Sequence, residues 1–199
     1  MGRDDSRDAV LARTEHVWPE VYNALTNGIK TAIYLHEVAE WEFRDDKHLY
    51  QHMIRRKAIE AFKSLAPEGD TASDQSDATD LPMSGLILAL EQDIVRIWHI
   101  ATADIPKPTT PAKLEFVDQP ASGQASLFDP HEFSGRPRRR NSELNHLILR
   151  WTVKDHEIER YELIRPAGIW KGRVDIDWRK DLLPRFRQPP AERGSQGRA

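Results

Sequence analysis

Four side chains in the N-terminal third have the types and spacing of a metal site. His36 and Glu40 stand four apart in "IYLHEVAEWEF", and His48 and His52 stand four apart in "KHLYQHMIRRK". Residues four apart share one side of an α-helix, so each pair can present two ligands in one direction. In an antiparallel hairpin His36 comes level with His52 and Glu40 with His48, and three imidazoles with a carboxylate suit zinc, iron or manganese. The plainer arrangement has His36 and Glu40 hydrogen-bonded on the apolar face while His48 and His52 face water. We expect that plainer arrangement, with no metal and no cofactor. A second chemistry is written in "RPRRRN", where Arg136, Arg138, Arg139 and Arg140 could hold phosphate oxygens through their guanidinium forks. Such a contact is indifferent to base sequence and weakens steeply with salt.

A third candidate precedes the arginines. "GQASLFDP" sets Leu127 and Phe128 side by side among Pro, Ser, Gly, Asp and Gln. Within it, "QASLF" resembles the pentapeptide by which bacterial polymerases and mismatch-repair proteins dock on the DNA sliding clamp: Gln, any residue, Ser or Asp, Leu, then Phe or Leu. Gln124, Ser126, Leu127 and Phe128 fill the positions of that pattern, and Ala125 stands where Leu is often found. The resemblance implies that the peptide binds extended, with the Leu-Phe pair in an apolar pocket and the Gln amide hydrogen-bonded beside it. Removing two large apolar side chains from water, at roughly 25 cal/mol per Å², can support micromolar binding with few other contacts. In the alternative, Leu127 and Phe128 fold back and pin their loop to the sheet. "HEVAE" is similar to the zinc-protease motif, with Glu40 where that family has its last His.

Composition narrows the classes of function. The chain has no cysteine, so disulfides, thiolate metal sites and thiol nucleophiles are excluded. It contains no apolar run long enough for a transmembrane helix, and "MGRDDSRDAV" lacks the apolar core of a signal peptide, so we expect a cytoplasmic protein without membrane contact. Neither a glycine-rich phosphate loop nor a serine elbow is present. Charge is unevenly spread: thirteen basic against twenty-three acidic residues through Gly135, then sixteen against nine, give net charges of −10 and +7. An acidic partner such as nucleic acid should be drawn to the second part, unless the two parts serve only each other.

The elements that must position these residues follow from periodicity. Trp18, Val21, Tyr22, Leu25, Ile29, Ala32, Ile33, Ala39 and Phe43 fall on one side of a 3.6-residue period, which predicts a helix through residues 15–43. Asp45 or Asp46 can cap a second helix over "KHLYQHMIRRKAIEAFKSL", so residues 1–66 read as an antiparallel helical hairpin. Residues 67–80, rich in Asp, Ser, Thr, Pro and Gly, read as a flexible acidic linker. Residues 81–188 read as an antiparallel sheet: "LILAL" with "IVRIWHI" and "LNHLILRWTV" with "IERYELIRP" form hairpins, and "RVDIDW" adds a strand. The long loop 104–144 has room for one short strand at "KLEFV", and residues 189–199 read as a disordered tail.

In that sheet, Arg150 beside Trp151, Arg160 beside Tyr161, Trp170 before Lys171 and Trp178 before Arg179 interleave cations with aromatics. Adjacent strand residues point to opposite faces, so the pattern predicts core aromatics under a basic outer face. The expected fold is α+β. The expected function is that of a non-catalytic accessory factor in bacterial DNA replication, repair or mobile-element maintenance, docking on the clamp through Gln124 to Phe128. The rivals are a protein-binding regulator of the immunity or antitoxin kind and a metal-dependent enzyme built on the helical histidines.

Overall fold

The structure, a computed structural model, describes residues 4–42, 47–65, 86–122 and 144–186, without the side chains of 47–48, 62–65 and 112. It has the expected α+β architecture. Helix α1 (Arg7–Thr14) runs through a 3-10 turn (Glu15–Val17) into α2 (Trp18–Val38), and α3 (Lys47–Leu65) follows. Strands β1 (Leu86–Ala89) and β2 (Asp93–His99) come next, then helix α4 (Pro111–Val117), and then β3 (Asn145–Lys154), β4 (Glu157–Trp170) and β5 (Arg173–Asp181). The sheet order is β1-β2-β3-β4-β5. Every pairing is antiparallel except β2 with β3, which run parallel with Val95 opposite Leu147.

Helices α2 and α3 lie antiparallel, since Gly28 approaches Ile54 while His36, further along α2, meets Tyr50, earlier on α3. Gly28 sets how close the two helices come. A Cβ there would stand 2.7 Å from the Ile54 carbonyl oxygen, so only glycine allows this approach. The apolar stripe of α2, Trp18, Val21, Leu25, Ile29 and Ala32, joins Ile54 and Ala58 of α3 and packs on the sheet through Val95, Ile97, Leu147, Leu149, Trp151, Tyr161 and Leu163. Helices and sheet thus share one hydrophobic core. Tyr161 ties them further, its hydroxyl donating to the Trp18 carbonyl at 3.0 Å.

The opposite face of the sheet is covered too. Ile94, Ile148, Ile164 and Val174 pack with Ile100, Ile105, Phe116 and Val117 from the chain that follows β2. Central strand β3 is therefore buried from Asn145 through Thr152. This second layer corrects one expectation: "KLEFV" is not a strand but most of α4. Thr110 caps that helix, its side chain accepting from the Lys113 amide, and Pro111 occupies the first turn, where its missing N–H costs nothing. The Leu114, Phe116 and Val117 positions look like alternation only because the helix is so short.

Helix α2 also ends sooner than its apolar period extends. The Trp41 amide donates to the His36 carbonyl at 3.0 Å and the Glu40 amide to the Glu37 carbonyl at 3.2 Å. With Glu40 at φ +54°, these two bonds form the Schellman closure of a helix C-terminus. The two tight hairpins are closed by residues with positive φ: Asp155 and His156 between β3 and β4, Lys171 and Gly172 between β4 and β5.

Candidate functional site

Three of the most deeply buried polar side chains converge where the chain leaves for, and returns from, residues 123–143. Asp93 opens β2 and Asn145 opens β3, and parallel pairing sets them directly opposite each other. Arg165 lies on β4, the next strand over. The three are 1%, 0% and 2% exposed, so each must find its partners within the protein.

They do so in one network. Asn145 donates through Nδ2 to Asp93 Oδ1 at 2.7 Å and accepts at Oδ1 from Arg165 Nε at 2.9 Å. Arg13, arriving from α1, grips the Asp93 carboxylate with Nε and Nη2 at 2.7 and 2.8 Å. That bidentate contact raises the Arg13 pKa above its ordinary value, the hydrogen bond to Asp93 outweighing the opposing effect of burial. Arg165 Nη1 donates to the Pro120 carbonyl and to Asp177 Oδ2, both at 2.8 Å, and the same Asp177 oxygen accepts the Ser122 amide at 2.7 Å. Gln119 acts as a substitute strand: its Oε1 accepts the His146 amide at 3.0 Å, while Nε2 donates to the carbonyls of His146 and Pro166 at 2.6 and 3.0 Å.

Residues 119–122 and 145–146 are thus fastened to the same few side chains. Chemically the arrangement holds chain rather than transforms a substrate. Asp93 and Asp177 are each committed to a guanidinium, and arginine does not give up its proton in the physiological range. What the network fixes is the position of Ser122, two residues before Gln124.

Gln124, Ser126, Leu127, Phe128 and the four arginines Arg136, Arg138, Arg139 and Arg140 lie outside the described residues. Of the metal candidates, His36 is 1% exposed with Nδ1 2.7 Å from the Ala32 carbonyl oxygen. Its ring meets those of Trp41 and Tyr50 edge-on at 6.0 and 5.7 Å. Glu40 does not continue the apolar face of α2. It sits in the left-handed turn that ends the helix, with an exposed side chain. His52 is exposed, and the His48 side chain lies outside the described residues. Among the described residues, no group of three or more His, Asp and Glu side chains is placed to hold a metal ion.

The cation-aromatic pairs separate by burial. Trp151 and Tyr161 are core, as the alternation predicts. Arg150 does not face water opposite them. It is 2% exposed beneath the chain that follows β2, donating to the carbonyls of Ile100, Thr102 and Ala103 and lying 3.4 Å from Glu162. Arg96, 5% exposed, lies over the Phe116 and Trp98 rings at 4.9 and 5.4 Å, with no hydrogen-bond partner for Nε and Nη1 among the described residues; burial lowers its pKa. Trp170 alone of these aromatics is 65% exposed.

The network residues leave little trace in the sequence. Their one visible sign is a charge set inside an apolar run, as Arg165 is in "YELIRPAGI" and Asp93 is before "IVRIW". Comparison of the chain with protein-family models, curated proteins and solved structures finds no match.

Proposed function

We propose that this protein is a non-catalytic accessory factor that docks on the bacterial DNA sliding clamp through Gln124, Ser126, Leu127 and Phe128, with Arg136, Arg138, Arg139 and Arg140 contacting nucleic acid without regard to sequence. The observation that carries the reading is the anchoring of Ser122. A linear motif starting two residues beyond a fixed amide can be offered from a constant place on the surface, and a constrained base lowers the entropy lost on binding. The pentapeptide supplies the partner's chemistry, an apolar pocket for Leu127 and Phe128 beside an amide-binding subsite for Gln124.

The test is a fluorescence-anisotropy titration of a labelled peptide spanning Ser122 to Pro130 with purified bacterial sliding clamp. Saturable micromolar binding, abolished on changing Leu127 and Phe128 to Ala, is expected. Equal binding by the altered peptide would sink the proposal. For the arginines, changing all four to Ala should flatten the dependence of duplex-DNA affinity on salt by about 0.9 for each phosphate that is no longer neutralised.

A further inference from the structure

The tip of the β4-β5 hairpin carries an indole in water. Ile169 pairs with Val174 and Trp170 with Arg173, and Lys171 and Gly172 make the two-residue turn with φ of +48° and +79°. Positive φ at both central positions gives the turn whose twist matches the strands it joins, and glycine at the second suits it. Antiparallel partners present their side chains on the same face, so the Trp170 ring and the Arg173 guanidinium stand together. The two paired positions differ sharply in burial. Val174 is 7% exposed and holds the hairpin to the second core, whereas Trp170 is 65% exposed.

Around the indole stand two cations, Lys171 and Arg173, and two carboxylates, Asp104 and Asp175. The Lys171 ammonium lies 5.9 Å from the Trp170 ring centroid. The Arg173 side chain is 72% exposed and meets Asp104 at 2.9 Å, an ion pair in water that a phosphate can displace at little cost. Trp170, Lys171, Arg173, Val174 and Asp175 line an open concavity of about 450 Å³. That space accommodates one nucleotide. A base can stack on the Trp170 ring, its phosphates can meet Lys171 and Arg173, and the Asp175 carboxylate can accept an N–H from the base edge while keeping phosphate at a distance.

From this geometry we infer that the hairpin tip is a binding site for single-stranded DNA, taking one unpaired base on Trp170. An interface with protein could use the same indole, but an exposed ring with an exposed Lys171 and Arg173 beside it suits a stacked base and the phosphates on either side of it. Duplex DNA does not meet the site's chemistry, because its bases are already stacked and only its phosphates are available. The inference rests on the nucleic-acid half of the proposed function and locates it on residues other than the arginine run.

The test measures binding of the full chain to a fluorescein-labelled oligothymidylate and to a duplex of equal length, both at low salt. Trp170→Ala should weaken single-strand binding roughly tenfold while changing duplex binding less than about twofold, and Trp170→Phe should keep most of the affinity. Lys171→Ala should reduce the single-strand salt slope by about 0.7, the value for one phosphate. The exposed position of Trp170 predicts unchanged urea midpoints for both of its variants. Unchanged single-strand binding by Trp170→Ala, equal weakening on both DNA forms, or absent single-strand binding by the unaltered protein would each overturn the inference. Clamp affinity measured on the same preparation shows separately whether the wider proposal stands.

Discussion

Arg165 donates to Asn145 Oδ1 at 2.9 Å while its other nitrogen holds the Pro120 carbonyl at 2.8 Å, so a single buried guanidinium fastens both ends of the chain that carries the clamp-like pentapeptide. The cost of burying that charge is offset by Asp177 and by two neutral acceptors, and Asp93 is balanced in the same way by Arg13. Removing Arg165 takes from Asp177 its guanidinium and from the Asn145 oxygen its donor.

The two buried arginines Arg165 and Arg96 should therefore respond oppositely to the same change. Arg165→Met removes the guanidinium that pairs with Asp177 and bonds the Asn145 oxygen, and should lower unfolding free energy by about 3 kcal/mol or more. Arg96→Met removes a buried cation that has ring contacts but, among the described residues, no carboxylate partner, so stability should stay within about 1 kcal/mol of the unaltered protein or rise. Urea denaturation of the two variants checks both, and a similar decrease in each would contradict the network's role in holding these charges.

The helical layer offers a pair of backbone tests. Gly28→Ala should cost about 1–3 kcal/mol, because the new methyl meets the Ile54 backbone and not a movable side chain. Glu40→Gly should instead stabilise by about 0.5–1 kcal/mol, since glycine takes the left-handed conformation that Glu40 now occupies without a steric penalty. Thermal unfolding followed by circular dichroism reads both shifts, and destabilisation by Glu40→Gly would show that its side chain does more than close the helix.

Acid should weaken the fold partly through His99. Its ring packs edge-on against Trp151 at 4.9 Å, and burial lowers its pKa from the ordinary 6.5. The unfolded chain then binds the proton more readily than the folded one. The stability linked to His99 is full above pH 6.5 and is lost as pH falls through the lower folded value. Chemical denaturation between about pH 7.5 and about pH 5, at intervals of about half a unit, should show a shallower decline in His99→Gln than in the unaltered protein. Identical slopes would mean that the ring is hydrated in the folded state.

Much of this architecture is readable from periodicity. The α3 boundaries, both hairpins and β5 follow from apolar spacing and turn residues, because local pattern and tertiary burial agree there. Four features escape for physical reasons. Helix α4 spans too few residues to show a helical period, and its one sign, Thr110 followed by Pro111, is a cap. The parallel pairing of β2 with β3 depends on a connection of more than forty residues, which turn chemistry does not constrain. The buried network depends on that pairing, because only the parallel register sets Asp93 opposite Asn145, and neither residue type announces burial. The spacing of Glu40 from His36 points it to the apolar face, and the helix ends before that spacing can act.

Docking of Leu127 and Phe128 on a sliding clamp is the step on which the proposed function depends. Isothermal titration of purified bacterial clamp with the full chain tests it most directly, run beside the double variant Leu127→Ala, Phe128→Ala and beside Arg165→Met. Expected are micromolar binding by the unaltered chain, none by the double variant at an unchanged urea midpoint, and weakened binding by Arg165→Met under conditions where that variant is folded. Binding by the double variant equal to that of the unaltered chain, or a drop of several kcal/mol in its stability showing that the pair belongs to the core, would contradict it.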